Sequence, residues 1–250
     1  MKPSHGPTRR SLVSDATIPA HSPQILIVGA SRGLGYAMAA VFVTKGWNVI
    51  GTVRADSHPG LLHALADANP GRIEIETVDI TSLDEIESLR ARLSARELDI
   101  LFVNAGTTNP EPTQTIGEVS TQDFVDLMIT NALGPMRVVE RLSDLVAADG
   151  LIGVMSSGQG SIADNVSGQR EVYRGSKAAL NQFMRSFAAR QPATRALLLM
   201  APGWVRTELG GPDGRLAIEE SVPGVVDVLV RKRGRPGLEF LDYRGNTVRW

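Results

Sequence analysis

A continuous apolar run that leads directly into a glycine-rich segment constrains the fold of this chain more than any other feature. The run, QILIVGA at residues 24–30, predicts a strand buried on both faces, as in a parallel sheet. Glycines at positions 29, 33 and 35 then open a predicted helix over Gly33–Lys45. A strand, a tight turn and a helix in this order predict an α/β fold with helical crossovers between parallel strands.

Strands and helices continue to alternate along the chain, which predicts successive crossover units. Further buried strands are predicted at residues 48–54, 72–78, 98–104, 151–156 and 195–201. Helices are predicted over residues 82–96 and 121–148, the latter broken or redirected near Gly134–Pro135, and for about twenty residues from Glu171. Residues 24–250 are therefore predicted to form one α/β domain, a Rossmann-like doubly wound parallel sheet with helices on both faces.

Composition and charge exclude several classes of protein. The 26 lysines and arginines nearly balance the 27 aspartates and glutamates, so neither nucleic acid nor an acidic membrane is an expected partner. The chain has no cysteine, and its four histidines lack metal-ligand spacing, so no disulfide and no metal site is expected. No apolar run approaches the ~18 residues that span a bilayer. We expect a cytoplasmic protein whose proline-containing residues 1–23 form a flexible N-terminal extension.

The segment GASRGLG, residues 29–35, is typical of a phosphate-binding turn. Its glycines permit a tight turn and close approach of the backbone to a pyrophosphate, and the helix N-terminus offers free N–H groups. The segment also contains GxSxG, which in α/β-hydrolases surrounds a nucleophilic serine. That interpretation requires an acid and then a histidine downstream, and only His58 and His63 follow Ser31. Dinucleotide binding is therefore favoured over hydrolysis.

Two arginines bear on the choice of dinucleotide. NAD-binding sheets commonly place a carboxylate at the end of the second strand, where it accepts hydrogen bonds from the ribose. Here that strand ends at Arg54, and the first carboxylate is Asp56. A guanidinium at Arg54, together with Arg32 in the glycine segment, suits the 2′-phosphate of NADP. The sequence therefore favours NADP(H), with NAD(H) as the alternative.

Tyr173 and Lys177 lie one helical turn apart, a spacing that places both side chains on one helix face. A tyrosine hydroxyl has a pKa of ~10, and a neighbouring ammonium favours the phenolate, which would bring that pKa toward the range of acid–base catalysis. The pair alone is common by chance. Here it follows Ser156 and Ser157 at the end of a predicted strand, and Asn131 lies in the helix before them.

Taken in order, these motifs resemble the classical short-chain dehydrogenase/reductase family, and the resemblance extends over residues 24–250. The matching segments are residues 29–35, 79–81 (DIT), 104–106 (NAG), Asn131, 156–157, 173–177 (YRGSK) and 202–203 (PG). Within the family, residues 202–211 and 240–250 resemble the carbonyl-reductase branch that includes sniffer and the bacterial C-factor.

The resemblance implies a role for each residue of the catalytic set. Tyr173 would protonate the carbonyl oxygen during reduction, and Lys177 would bind the nicotinamide ribose and lower the pKa of the tyrosine. Ser157 would hydrogen-bond the substrate oxygen, and Asn131 would hold a water in the proton relay. Ser157 is favoured over Ser156 because the family pattern uses its second serine, and Ser161 is a further alternative.

The resemblance also implies the residues that contact the cofactor. Asp79 would contact the adenine, Asn104 and Gly106 would line the cleft, and Pro202–Gly203 would shape its nicotinamide end. The full set is Gly29, Ser31, Arg32, Gly33, Leu34, Gly35, Arg54, Asp79, Ile80, Asn104, Ala105, Gly106, Tyr173, Lys177, Pro202, Gly203, Val205 and Thr207.

The implied substrate pocket is the least defined part of the chain. The spacing of 16 residues between Ser157 and Tyr173 is longer than in many family members, and the extra residues fall in 161–170, at the rim of the implied site. Gln159, Trp204 and residues 207–215 are candidates to line the pocket. Trp204 could equally hold its own loop in place, and the glycines and proline of residues 207–215 suggest a mobile lid.

These residues predict an NADP(H)-dependent oxidoreductase that interconverts a small-molecule ketone or aldehyde and its alcohol by hydride transfer, with Tyr173 as general acid and base. The alternative is an NAD(P)-binding signalling or regulatory protein of the same fold with little turnover. The resemblance further implies a homodimer or homotetramer formed through the predicted helices at 121–148 and 171–191.

Overall fold

Seven strands form one parallel sheet in the computed structural model, which describes residues 22–250. They are β1 (Gln24–Val28), β2 (Asn48–Val53), β3 (Ile73–Thr77), β4 (Leu98–Val103), β5 (Val146–Met155), β6 (Ala196–Ala201) and β7 (Gly237–Asp242). The order in the sheet is β3-β2-β1-β4-β5-β6-β7, so the direction of winding reverses between β1 and β4. This order confirms the predicted doubly wound sheet. The predicted N-terminal extension lies outside the described residues except for residues 22 and 23.

Helices cover both faces of the sheet. They are α1 (Gly33–Thr44), α2 (Leu61–Ala68), α3 (Leu83–Arg92), α4 (Thr121–Met128), α5 (Gly134–Leu142), α6 (Glu171–Arg190) and α7 (Ile218–Lys232). Successive side chains of a strand point to opposite faces. In β1, Ile25 and Ile27 therefore join the core beneath α1 and α7, whereas Leu26 and Val28 join the core beneath α5 and α6. All four are fully buried, which is why residues 25–28 are all apolar.

The helix predicted over residues 121–148 is interrupted near Gly134–Pro135, as predicted, but its predicted end at residue 148 is wrong. A π-helical segment, Ile129–Leu133, separates α4 from α5, and a short 3-10 turn follows α5 before β5 begins at Val146. The break precedes Gly134–Pro135 rather than falling on it. A Cβ atom at Gly134 would lie 2.7 Å from the Ile80 carbonyl oxygen, so the glycine serves close packing rather than a bend.

Three elements near the sheet edges escaped prediction: α2, α7 and β7. In α7 the Pro223–Gly224 pair resembles a turn, but Val225 and Leu229 are fully buried, and their packing overrides the local preference. After β7 the chain turns back, and the N–H of Val248 donates to the Phe240 carbonyl oxygen at 2.8 Å. Of the three, β7 extends the sheet beyond β6, at an edge where no strand was predicted.

Two of the predicted absences concern membrane-spanning helices and metal sites. Within residues 22–250, no helix combines the length and the apolar character needed to cross a membrane. Over the same residues, no three His, Asp or Glu side chains are grouped so that they could hold a metal ion. The predicted lack of nucleic-acid and membrane partners, the cytoplasmic location and the homodimer or homotetramer stay predictions.

Candidate active site

A cleft of about 1130 Å³ opens at the carboxyl ends of the strands. Ligand pockets for single small molecules occupy roughly 300–1,000 Å³, so this cleft has room for a dinucleotide beside a further small molecule. The loops after β1, β2, β4, β5 and β6 contribute to its walls, as does the start of α6. Every predicted site residue lines the cleft except Gly35 and Asn131, which contact residues that do.

The two loops that meet at the reversal of strand order are packed backbone to backbone. A Cβ atom at Gly29 would lie 2.9 Å from the backbone of Ala105, and one at Gly35 would lie 2.0 Å from the Gly29 carbonyl oxygen. The Asn104 side-chain amide donates to that same Gly29 oxygen at 2.7 Å. The Gly29 N–H donates to the Thr52 hydroxyl at 3.0 Å. Hydrogen bonds therefore hold the glycine turn open at the N-terminus of α1, where N–H groups can receive a phosphate.

The two arginines predicted to select the dinucleotide both lie at the mouth of the cleft. Arg32 pairs with Glu208, an ion pair whose side chains are both largely exposed. Arg54 lies 3.8 Å from Asp56 and is also exposed. Neither arginine is buried against a carboxylate, so both are free to bind a phosphate after a change of side-chain rotamer. The contact between Glu208 and Arg32 was not predicted, because the two residues are 176 positions apart in the sequence.

Asp79 lies in the turn after β3, as predicted. Its Oδ1 atom accepts hydrogen bonds from the N–H and the hydroxyl of Thr81, at 2.8 and 2.7 Å. The N–H of Asp79 donates to Glu85 at 2.7 Å, at the start of α3. The aspartate is thereby oriented at the edge of the cleft, and the neighbouring Ile80 is buried beneath it.

Ser157 lies beside Tyr173 in the cleft, and its position is set by its own backbone neighbourhood. The N–H of Gln159 donates to the Ser157 Oγ at 3.1 Å, and the Ser157 side chain acts to lower the pKa of Tyr173. The Ser157 O–H is therefore available to donate to the tyrosine oxygen. A donor at this oxygen stabilises the phenolate form.

Burial dominates the acid–base properties of Tyr173 and Lys177. Burial raises the pKa of Tyr173 above its ordinary value, against the smaller lowering effects of the Ser157 hydrogen bond and the Arg170 cation. Burial lowers the pKa of Lys177 to about 8. The lysine ammonium lies 5.9 Å from the tyrosine ring centre and donates to the Met155 carbonyl oxygen at 2.9 Å. The expected lowering of the Tyr173 pKa by Lys177 is wrong: burial raises that pKa, and the cation that acts to lower it is Arg170.

Asn131 lies in the π-helical segment and joins two parts of the site. Its Oδ1 accepts from the Thr107 N–H at 2.8 Å, and its Nδ2 donates to the Thr107 carbonyl oxygen and to the Ser176 hydroxyl. The side chain is fully buried. Asn131 therefore ties the loop after β4 to the catalytic face of α6, and its predicted water-holding role stays a prediction.

The structure separates the three serines considered for the catalytic position. Ser156 is buried, and its hydroxyl donates to Asn181 at 2.6 Å. Ser161 is also buried, does not line the cleft, and accepts from the N–H of Asp164 at 3.1 Å. Ser157 alone among them acts on the pKa of Tyr173.

The loop after β6 is held closed on itself. The Trp204 indole N–H donates to the Gly210 carbonyl oxygen at 2.7 Å, and Val205 pairs with Leu216 across the base of the loop. Trp204 also lines the cleft with 44% of its surface exposed, so it both holds its loop and faces the pocket. Gln159 lines the cleft as predicted.

The rim segment, residues 161–170, is tied to the last residue of the chain. The Ala163 N–H donates to the Trp250 carbonyl oxygen at 2.9 Å, and the Trp250 ring packs edge-on against Phe240. The Arg185 guanidinium lies 4.8 Å from the Trp250 ring centre. The C-terminal segment therefore fixes the start of the rim segment, whereas its other end enters α6 at Arg170.

Several residues that line the cleft were not predicted. They are Thr52, Ser57, His58, Thr107, Thr130, Arg170, Ile218, Asp242, Tyr243 and Val248, among others. Most lie on elements that escaped prediction or on loops whose path depends on distant contacts. Among these residues, only Arg170 could have been found from the sequence, because it directly precedes the helix that carries Tyr173 and Lys177.

Comparison with known proteins identifies the family of this chain. A family model described as short chain dehydrogenase matches residues 23–215. A solved short-chain dehydrogenase/reductase from Burkholderia multivorans with bound NADP is 74% identical, with a TM-score of 0.90, over 92% of this chain and 100% of that one. The carbonyl reductase Sniffer of D. melanogaster is 27% identical, with a TM-score of 0.81, over 92% and 100% of the two chains. The C-signal of Myxococcus xanthus is 35% identical over 156 residues, 61% of this chain and 93% of that protein.

Proposed function

This chain belongs to the short-chain dehydrogenase family, and from that premise we propose that it is an NADP(H)-dependent oxidoreductase that interconverts ketones or aldehydes and their alcohols. One observation carries the proposal: Ser157, Tyr173 and Lys177 line the same cleft as the glycine turn. An acid–base group and a dinucleotide cradle thus share one cavity. A carbonyl group bound between them would contact both the acid–base group and the dinucleotide.

The cleft fits a dinucleotide with a 2′-phosphate. The glycine turn lines the cleft through Gly29 and Gly33, and Arg32 and Arg54 supply cations at the mouth. The Burkholderia multivorans relative, 74% identical, contains NADP. Bound NADPH would supply the hydride that reduces the carbonyl carbon.

Tyr173 supplies the proton in the direction of reduction. Because burial raises its pKa, the hydroxyl is protonated at neutral pH and can donate to the carbonyl oxygen as negative charge develops there. The phenolate that remains accepts the hydrogen bond of Ser157. In the reverse direction the same phenolate removes the proton of the alcohol.

Lys177 and Asn131 act on the same site from beneath. The Lys177 ammonium, 5.9 Å from the tyrosine ring centre, stabilises the phenolate that forms during reduction. Since its pKa is about 8, that ammonium is retained at neutral pH and is lost above it. Asn131 holds the loop after β4 against α6 through its hydrogen bonds to Thr107 and Ser176.

The direct test measures oxidation of NADPH, and separately of NADH, by the full chain with a panel of ketones, aldehydes and quinones. Tyr173→Phe removes the proton donor and keeps the ring, so we expect kcat to fall by about 10²–10⁴-fold while the affinity for NADPH is unchanged. Tyr36→Phe, in α1 and away from the cleft, serves as the matched control.

Three outcomes would overturn parts of the proposal. Equal rates with NADH would contradict the role given to Arg32 and Arg54. Full activity of Tyr173→Phe would remove the tyrosine from the mechanism. NADPH binding without turnover of any compound would favour the second candidate, an NAD(P)-binding signalling protein, which the similarity to C-signal motivates.

A further inference from the structure

Arg170 occupies a backbone conformation that arginine rarely adopts. Its φ of 59° lies in the left-handed region, and among residues 22–250 it is the only residue other than glycine with a positive φ. An L-residue is disfavoured there by contact of its Cβ with the backbone. Residues held in such conformations cluster at functional sites. This one joins the rim segment to the helix that carries Tyr173.

The Arg170 side chain lies directly beside the reacting group. Its guanidinium carbon is 5.2 Å from the centre of the Tyr173 ring, and the residue lines the cleft. One terminal nitrogen donates to the Thr108 hydroxyl at 3.2 Å. The Nε atom is buried and has no hydrogen-bond partner. A guanidinium with five donors is thus held over the tyrosine with most of its bonding capacity unused.

Unpaired polar atoms are concentrated on this side of the cleft. Three buried side-chain polar atoms among residues 22–250 lack a hydrogen-bond partner, and they belong to Asn109, Gln159 and Arg170. Gln159 and Arg170 both line the cleft, and Gln159 is bonded through its backbone to Ser157. Buried donors and acceptors left unpaired destabilise a folded protein, so a ligand that pairs them recovers free energy on binding.

The charges around Arg170 favour an anion. The acidic side chains that line the cleft belong to Asp79, Glu208 and Asp242, and none of them bonds Arg170. Over residues 22–250, Arg170 takes part in no ion pair. The other cation near Tyr173 is Lys177, whose ammonium bonds a carbonyl oxygen rather than a carboxylate. This end of the cleft therefore carries positive charge without a built-in counter-ion.

We propose that Arg170 binds an acidic group of the substrate, so that the compounds reduced are oxo acids: ketones or aldehydes that carry a carboxylate close to the carbonyl. A planar guanidinium matches a carboxylate through two parallel hydrogen bonds. Because the guanidinium lies beside the Tyr173 ring, a carboxylate bound there holds its carbonyl near the tyrosine hydroxyl. The inference rests on the proposed function and names the substrate class of that same site.

The test compares acids with their own esters. Full-length protein with NADPH is assayed on benzoylformate and 3-benzoylpropionate, each beside its methyl ester, which keeps the ketone and removes the charge. We expect wild-type kcat/KM to favour the acid of at least one pair. Arg170→Gln should lower that acid-to-ester ratio by about 10- to 100-fold, the range that a charge-assisted hydrogen bond supplies. Dividing by the ester rate cancels any effect of the substitution on Tyr173 itself.

Two further variants separate binding from folding. Arg174→Gln alters an arginine one turn along α6 that bonds Gln169 and Ser167 and does not line the cleft, so the ratio should not change. Arg170→Gly removes the guanidinium and suits the left-handed backbone, so it should fold at least as well as wild type and still lose the preference for acids.

The outcomes distinguish this inference from the function it rests on. Reduction of the esters, with a ratio that Arg170→Gln and Arg170→Gly leave unchanged, would overturn the carboxylate site alone. A wild-type preference for the ester in both pairs would do the same. Absence of turnover on every carbonyl compound, neutral ones included, would overturn the proposed function and this inference with it.

Discussion

The two ends of the cleft differ in how completely their polar groups are paired. At the cofactor end, Gly29 is bonded through its N–H to Thr52 and through its oxygen to Asn104. At the substrate end, Gln159 and Arg170 keep buried atoms without partners. The first end is built before any ligand arrives, largely from backbone, whereas the second leaves hydrogen bonds for a ligand to complete. A cradle for one constant dinucleotide and a pocket that selects among carbonyl compounds would require this difference.

The largest expected effect on stability comes from adding a side chain within the glycine turn at the cofactor end. Gly35→Ala would place a Cβ atom 2.0 Å from the Gly29 oxygen and 2.7 Å from the Asn104 side chain, and a backbone oxygen cannot move away without opening the turn. We expect a loss of about 3 kcal/mol or more in the free energy of unfolding, measured by urea titration, and loss of NADPH binding.

The matched change at the substrate end should have the opposite sign. Gly175 lies on α6, is exposed, and has no atom within 4 Å of the position that a Cβ would take. Gly175→Ala should therefore raise the free energy of unfolding by up to about 1 kcal/mol through helix propensity. Equal losses in Gly35→Ala and Gly175→Ala would contradict the packing difference between the two ends.

The second effect concerns Lys177, which lies where the two ends meet. Its folded pKa of about 8 is below the ordinary 10.5, so between these values the unfolded chain binds more protons and stability rises with pH. Below pH 8 the full penalty of the buried ammonium is present. We expect Lys177→Met to raise the free energy of unfolding by about 1–3 kcal/mol at pH 7, an advantage that shrinks toward pH 10, while turnover is lost.

Urea titrations of wild type and Lys177→Met at pH 7, 8, 9 and 10, without cofactor, would measure this difference. A wild-type stability that falls from pH 8 to pH 10 while the variant stays level would show that the lysine ammonium stabilises the fold, contrary to its buried position.

The smallest effect should come from the ion pair at the mouth of the cleft. Both partners are largely exposed, with 63% of the Arg32 side chain and 75% of the Glu208 side chain accessible, so the pair is weak. Glu208→Gln should nevertheless release Arg32 and lower the Kd for NADPH about two- to fivefold without changing that for NADH. Glu219→Gln, an exposed carboxylate at the start of α7, is the control. An equal change in the Kd values for NADPH and NADH would contradict a contact between Arg32 and the 2′-phosphate.

The same difference between the two ends limits what the sequence could predict. The cofactor end depends on glycines and short polar residues at set places after strands. Gly29 could therefore be assigned to it from the turn after the first strand, and Asp79 and Asn104 from the resemblance to the family. The inner strands were found within a few residues, because runs buried on both faces are continuous. The reversal of winding between β1 and β4 agrees with the predicted doubly wound sheet, although the order of the strands was not predicted.

The substrate end depends on where loops run, and a sequence does not show this. The rim segment was recognised as extra length, yet its path follows from contacts with Trp250, which lies 87 residues beyond Ala163. Glu208 meets Arg32 across the cleft through a similarly distant contact. Arg170 stood beside a recognised motif, but its left-handed backbone and its contact with Tyr173 emerge only once the loop is folded.

The central position of β1 has a consequence for synthesis. It pairs with β2 on one side and with β4 on the other, and Val28 meets Val103 across 75 residues of chain. As the nascent chain emerges, β1 presents an unpaired apolar edge until β4 has been made, and such edges invite aggregation. The glycine turn that follows β1 is made early, but it becomes a binding site only when Asn104 reaches it. Dinucleotide binding therefore reports on the assembly of the whole sheet, and a chaperone has most reason to act in the interval between these two strands.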